Sequence, residues 1–151
     1  MQKLNLPEYK LKLRKENDKP FVFDIFRKKY VSLTPEEWVR QQFAQYLINE
    51  LNYPPNLIAT EYSLKVNLLA KRCDIVAFNR KGEAIVIVEC KSTAVDITQD
   101  VFDQIATYNM KLNVKLLIVT NGLKHYCCIT NKNNSSYTFM KSIPEYDSIC
   151  Q

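Results

Sequence analysis

Residues Arg72–Lys91 read RCDIVAFNRKGEAIVIVECK: an apolar stretch, the polar segment NRKGE, and a second, more apolar stretch. Ala84–Glu89 is dominated by β-branched residues and Gly82 punctuates the polar segment, the pattern of a β-hairpin with covered strands. If Lys81-Gly82 is a two-residue turn, Arg80 pairs with Glu83, and the same register sets Asp74 directly opposite Glu89. Opposed residues point to one face, and Lys91, two residues beyond Glu89, shares it. Facing carboxylates repel, so the hairpin needs a compensating cation. Oxygen ligands of this kind suit Mg²⁺ or Mn²⁺ and leave room for water and a phosphate oxygen. The Lys91 ammonium is then placed to help lower the water's pKa and to stabilise charge developing on an attacked phosphate. A plainer reading stays open at this point: a solvated face on which Glu89 pairs with Lys91 or Arg72, for about 0–1 kcal/mol.

Upstream, Thr34-Pro35-Glu36-Glu37 opens a helix that runs to about Leu51. Thr34 suits the N-cap, Pro35 the first turn, and Glu37 the third position of a capping box. At 100° per residue Val39, Phe43, Tyr46, Leu47 and Leu51 form one stripe, with Glu36 near its centre and Glu37 well to its side. A carboxylate on an inward stripe asks for a partner, so Glu36 is expected to add a ligand or contact the water; a register off by one puts Glu37 there. Downstream, Gln99–Leu112 reads as a second helix with Val101, Ile105, Tyr108 and Leu112 inward and Gln104 at the flank, where its amide can hold water or phosphate. Strands are expected at Phe21–Phe26 and Tyr30–Leu33, at Ile58–Val66, at Lys115–Thr120, and at His125–Thr130 and Tyr137–Lys141, the last two joined by the polar turn Asn131–Ser136. The order predicts an α/β fold: a mixed β-sheet flanked by helices, with extra N- and C-terminal β-hairpins. One domain is expected over residues 20–147, after a loose or edge-like basic extension, residues 1–19, and before a short tail, 148–151.

The chain has 151 residues, long enough to bury one core, and 46% apolar content with a formal charge of only +5 excludes intrinsic disorder. Its longest apolar runs, such as Ala84–Val88 and Leu116–Val119, are far shorter than the about 20 residues that cross a bilayer, and the N-terminus lacks a signal-like apolar stretch. The expectation is a cytoplasmic protein, not a membrane one. Five cysteines without a C-x-x-C pair suggest reduced thiols. His125 and Cys127 share a strand face and invite a zinc reading, but no second ligand pair accompanies them. The basic segments Lys10–Lys19 and Arg27-Lys28-Lys29 are solvated surface, or they follow a DNA backbone.

Asp74, then Glu89-Cys90-Lys91 after an apolar strand, with a helical Glu upstream and Gln104-x-x-x-Tyr108 downstream, resembles the PD-(D/E)XK nuclease superfamily. More narrowly, TPEEWVRQ, RCDIV, VECKS, VFDQIATYN and VTNGLKHYCC together resemble the nuclease domain at the N-terminus of type I restriction enzyme R subunits, over about residues 20–147. The resemblance implies a restriction-endonuclease-like fold and Mg²⁺- or Mn²⁺-dependent hydrolysis of a DNA phosphodiester. It implies that Asp74, Glu89 and the helical Glu36 ligate metal, that Lys91 activates water, and that Gln104 belongs to the catalytic set. Tyr108, Lys71 and Arg72 are expected to join Gln104 in contacting nucleic acid. Cys73 stands where the superfamily's name records a Pro, a position that varies. Full restriction subunits carry an ATP-driven translocase, for which 151 residues leave no room. Partners implied are DNA, separate restriction-modification subunits and a second copy of the chain, since double-strand cleavage needs two sites. A catalytically silent nucleic-acid- or partner-binding module is the alternative from another class.

Overall fold

A computed structural model describes residues 1–131 and 136–150. The chain runs β1 (Leu13–Glu16), β2 (Lys19–Asp24), β3 (Lys29–Ser32), α1 (Pro35–Leu51), β4 (Ile58–Val66), β5 (Leu69–Phe78), β6 (Ala84–Cys90), α2 (Gln99–Met110), β7 (Leu116–Thr120), β8 (His125–Thr130), β9 (Tyr137–Met140) and α3 (Tyr146–Ile149). The main sheet has the order β4-β5-β6-β7-β8-β9. Its one parallel pair is β6 with β7, joined by α2 as the crossover, and every other neighbour is antiparallel. A separate antiparallel sheet holds β1, β2 and β3. The mixed sheet, its flanking helices and the terminal hairpins therefore stand as expected; residues 132–135 of the expected Asn131–Ser136 turn lie outside the described residues.

The central strands are apolar on both sides because a helix covers each face. Val86 and Val88 of β6 and Leu116 and Ile118 of β7 pack with Val39, Phe43 and Leu47 of α1, whereas Ile87, Leu117 and Val119 pack with Phe102 and Ala106 of α2. Both helices start on threonine caps, Thr34 accepting from the Glu37 N–H and Thr98 from the Val101 N–H. α1 ends at Asn52, a left-handed residue whose N–H returns to the Leu47 carbonyl.

Four details differ from the sequence reading. The hairpin turn is wider than Lys81-Gly82: the Asn79 N–H donates to the Glu83 carbonyl at 2.8 Å and the Gly82 N–H to the Asn79 carbonyl at 3.0 Å, with Gly82 at φ +84°. Phe78 pairs with Ala84, and a bulge then restores the anticipated register at Ala77↔Val86, Val76↔Ile87 and Ile75↔Val88. Second, α2 stops at Met110 and its buried residues are Phe102, Ala106 and Asn109, while Val101, Ile105 and Tyr108 are only half-buried. Third, residues 1–19 are not loose: they supply the edge expected as the alternative, with β1 the outer strand of its sheet. β1 pairs with β2 across a tight turn at Asn17-Asp18, both at positive φ, Leu4 is buried against Gly122, and the Trp38 indole donates to the Gln2 carbonyl. Finally, the tail contains the end of α3, with Ile149 buried.

Candidate functional site

Asp74 sits where β5 leaves its ladder with β6 and skips one pair in its ladder with β4. The β4–β5 register passes from Thr60↔Ile75 to Tyr62↔Cys73 without pairing Glu61 and Asp74, and the β5–β6 ladder begins at Ile75↔Val88. Glu61 takes φ +52° there, an uncommon conformation for a residue with a Cβ. The Asp74 carboxylate replaces the missing backbone partner: its Oδ2 accepts from the Cys90 N–H at 2.7 Å. Oδ1 accepts from Arg40 Nη2 of α1 at 2.8 Å. Sequence-adjacent Glu89 is buried at the end of β6 and receives the ammonium of Lys71. Burial pushes the Glu89 carboxyl up, against the pull of Lys71, and the charge of Asp74 adds to the rise. The two carboxylates thus lie within electrostatic reach at one end of the hairpin, beside the carboxyl end of the parallel strand β6.

The compensating cations in this arrangement are protein side chains, Arg40 and Lys71, rather than the Lys91 or Arg72 partners considered for Glu89. Arg72 is exposed and meets Glu61 at 3.5 Å. Lys91 donates its backbone N–H to the Thr120 carbonyl at 2.8 Å, and its ammonium makes no ion pair among the described residues. It lies near enough to Glu36 and Glu89 to oppose the rise in both their pKa values.

Glu36 and Glu37 exchange the surroundings expected of them. Glu37 is buried, accepting from Arg40 Nη1 at 2.6 Å, Arg27 Nη2 at 3.0 Å and Gln41 Nε2 at 3.1 Å. Glu36 keeps a half-exposed side chain, 3.4 Å from Arg40 Nη2. The wheel fails because α1 is covered on more than its apolar stripe. The β1–β3 sheet brings buried Asp24 and partly buried Arg27 against Glu37 and Gln41, and the Tyr9 backbone exchanges two hydrogen bonds with Gln42. Glu36 still faces the site: partial burial first, then the charge of Asp74, hold its carboxyl above the usual range.

Tyr108 reaches the site indirectly, its hydroxyl donating to the Ala70 carbonyl at 3.4 Å and its ring lying 5.3 Å from Lys71 Nζ. Gln104 does not join the cluster. It is exposed on the shallow surface it shares with Asp103, Thr107 and Lys111, because the inward face of α2 is turned toward Phe102, Ala106 and Asn109. His125 is structural: Nδ1 meets Thr120 Oγ1 at 2.7 Å, Nε2 meets the Asn5 carbonyl at 3.0 Å, and the ring packs on Phe43. Among the described residues no group of three His, Cys, Asp or Glu side chains is gathered as a metal cage, and all five cysteines are free thiols.

Sequence reasoning missed Arg40 and Glu61. Arg40 Nη2 also meets Glu61 Oε1 at 2.8 Å, so one guanidinium bridges α1, β4 and β5. Its one available signal was spacing, since Arg40 stands three and four residues after Glu37 and Glu36, where helical side chains meet.

The donors on hand fit a hard divalent cation in kind. Asp74, Glu89 and Glu36 offer carboxylate oxygens of that kind, and the charge of Asp74 reaches both of the others.

A comparison with curated proteins finds no match. Among solved structures, a fragment assigned as an HsdR subunit of a type I restriction enzyme from Vibrio vulnificus YJ016 matches with a TM-score of 0.53 at 20% identity. The match covers 78% of this chain and 24% of that one, and at this identity it carries the fold. The family described as type I restriction enzyme R protein N terminus (HSDR_N) matches residues 35–144, which span α1, the Asp74/Glu89 hairpin, α2 and the strands beyond. On that match the chain belongs to the family of type I restriction enzyme R protein N-terminal domains.

Proposed function

We propose that the chain is a PD-(D/E)XK-type nuclease domain that hydrolyses DNA phosphodiesters in a restriction setting, with Mg²⁺ or Mn²⁺ as its cofactor. The observation that carries this reading is the meeting of acids at one end of the β5–β6 hairpin: Asp74 accepts from the N–H of Cys90, next to Glu89, and shares Arg40 Nη2 with Glu36, while Lys91 makes no ion pair among the described residues. Asp74 and Glu89 would hold the ion, with Glu36 as a third acidic group. Bound there, the ion supplies Lewis acidity toward water and a phosphoryl oxygen. Arg40 and the Cys90 N–H orient the Asp74 carboxylate, so one ligand is fixed before any substrate arrives. Lys91 contributes positive charge beside the attacking water and the developing phosphorane charge. Lys71, held near Tyr108, becomes available to a DNA phosphate once Glu89 has another cation to face.

The test is incubation of the purified protein with plasmid and linear DNA in Mg²⁺ or Mn²⁺, beside Asp74→Ala and Lys91→Ala. Cleavage by the wild type and loss of at least about 100-fold in both variants is the expected result. Equal rates in all three proteins would end the assignment. Metal binding by calorimetry with no turnover would instead favour a binding module that keeps the fold.

A further inference from the structure

The positive excess of the chain is not spread evenly. Of its 21 basic and 16 acidic residues, eight basic and three acidic ones fall within residues 10–29, an excess of five, leaving thirteen of each elsewhere. Those twenty residues are the approach to the β1–β3 sheet, β1, β2 and the turn into β3. Asp24 and Arg27 neutralise each other beneath it at 2.7 Å. Its other seven cations are all exposed, facing only Glu16 and Asp18 as acids of the same segment.

Side-chain alternation sorts the sheet. Val22 and Asp24 point inward and are fully buried, so Phe21, Phe23 and their cross-strand partners Arg14 and Tyr30 share the outward face. There Lys12 Nζ lies 5.4 Å from the Phe23 ring centroid and the Arg14 guanidinium 3.9 Å from that of Tyr30, with the two rings edge-to-face. Stacking on rings holds the charged heads in place at the surface. The sheet is fixed to the candidate site by Arg27–Glu37 and by Thr60 donating to Asp24 at 2.7 Å. A polyanion approaching the candidate site is attracted by the neighbouring sheet.

We propose that the outward face of the β1–β3 sheet is a docking surface for the phosphodiester backbone of duplex DNA, gripping it without metal and without reading sequence. The choice of DNA among polyanions rests on the nuclease reading; the surface is separate from the site that reading uses. In EDTA, binding of a fluorescent duplex of about 20 base pairs is measured by anisotropy across a salt series. One variant carries Lys12→Gln, Arg14→Gln and Lys19→Gln on the outward face and Lys28→Gln in the turn beside it; a control carries Lys65→Gln, Lys81→Gln, Lys124→Gln and Lys141→Gln, all exposed lysines elsewhere. Both lose the same charge, and thermal melts confirm that both fold. The sheet variant is expected to bind at least about tenfold more weakly at low salt, its log–log salt slope shallower by about 3, with the control within about twofold of wild type. Equal loss in both variants, an unchanged slope in the sheet variant, no wild-type binding in EDTA, or stronger binding to polyglutamate than to DNA overturns the proposal. Cleavage and metal-free binding are separate readouts, so loss of one reading leaves the other standing.

Discussion

The guanidinium of Arg40 reaches Glu37, Glu61 and Asp74 at 2.6–2.8 Å, and its side chain is almost fully buried. A charge so placed is held by its partners and holds them in turn; its attraction to Glu37 and Asp74 keeps its pKa above the ordinary arginine value despite burial. Arg40→Met therefore leaves carboxylates uncompensated and is expected to destabilise the fold by about 3–5 kcal/mol in urea unfolding, whereas Arg40→Lys, which keeps charge but not the fork, should cost less. Methionine unfolding at the wild-type midpoint would show that the network bears no weight. Asp24 makes a second case. Burial alone would raise its carboxyl, but the Arg27 and Phe26 N–H groups, the Thr60 hydroxyl and the Arg27 and Gln41 side chains all donate to it, and the balance lies below the ordinary value of 3.8. A folded pKa below the unfolded one means that this stabilisation is complete above pH about 4 and is lost as pH falls through the folded value. Asp24→Asn should lower stability at pH 7 by about 2–4 kcal/mol and narrow its gap to wild type below pH 3, followed by chemical denaturation at both pH values. Asp74, Glu89 and Lys91 were legible as residues because charges stood where a covered strand wants apolar groups. Arg40 and Glu61 were not, because their roles depend on three elements meeting, which no local pattern encodes.

At the scale of elements, alternation and caps carried most of the information. β4 and the ends of α1 follow from local chemistry alone. The hairpin register came out right through two compensating departures, a wider turn at Asn79–Glu83 and a bulge beside Phe78, neither of which leaves a mark in the apolar pattern. Helix faces were harder. The stripe of α1 locates Val39, Phe43 and Leu47, yet Arg40, Gln41 and Gln42 are buried as well, under the β1–β3 sheet and the chain's first residues. Those first residues also explain a glycine. Gly122 has φ +86°, and a Cβ there would stand 2.7 Å from Leu4 Cδ2; Gly82 has φ +84° with open space around it. Gly82→Ala should thus cost only backbone strain, about 1 kcal/mol, and Gly122→Ala distinctly more, since Leu4 must leave its pocket. In a double-mutant cycle, Leu4→Ala should absorb part of the Gly122→Ala penalty, a coupling of at least about 0.5 kcal/mol by denaturant melts. Strict additivity would mean that the N-terminal segment is not seated on Gly122.

For the molecule as a whole, the decisive feature is that the acidic site is already balanced by Arg40 and Lys71 and is carried by a sheet with a separate apolar core on each face. A domain whose fold needed a metal would unfold on chelation, as structural zinc sites do. Here the carboxylates have cations of their own, so EDTA should leave the melting temperature unchanged. A divalent ion that binds the folded chain must still stabilise it by mass action: at ten times its dissociation constant the gain is about 1.4 kcal/mol. In a domain of this size that corresponds to a rise of roughly 3–6 °C. Asp74→Asn keeps the shape and removes the ligand charge, so its melting temperature should not respond to Mg²⁺ or Mn²⁺, while a surface change such as Lys141→Gln should leave the response intact. If wild type and Asp74→Asn rise equally, the ion is acting elsewhere on the surface. If neither rises at any millimolar concentration, Arg40 and Lys71 hold the carboxylates too tightly for an ion to displace them, and the site is an internal ion-pair network rather than a metal centre.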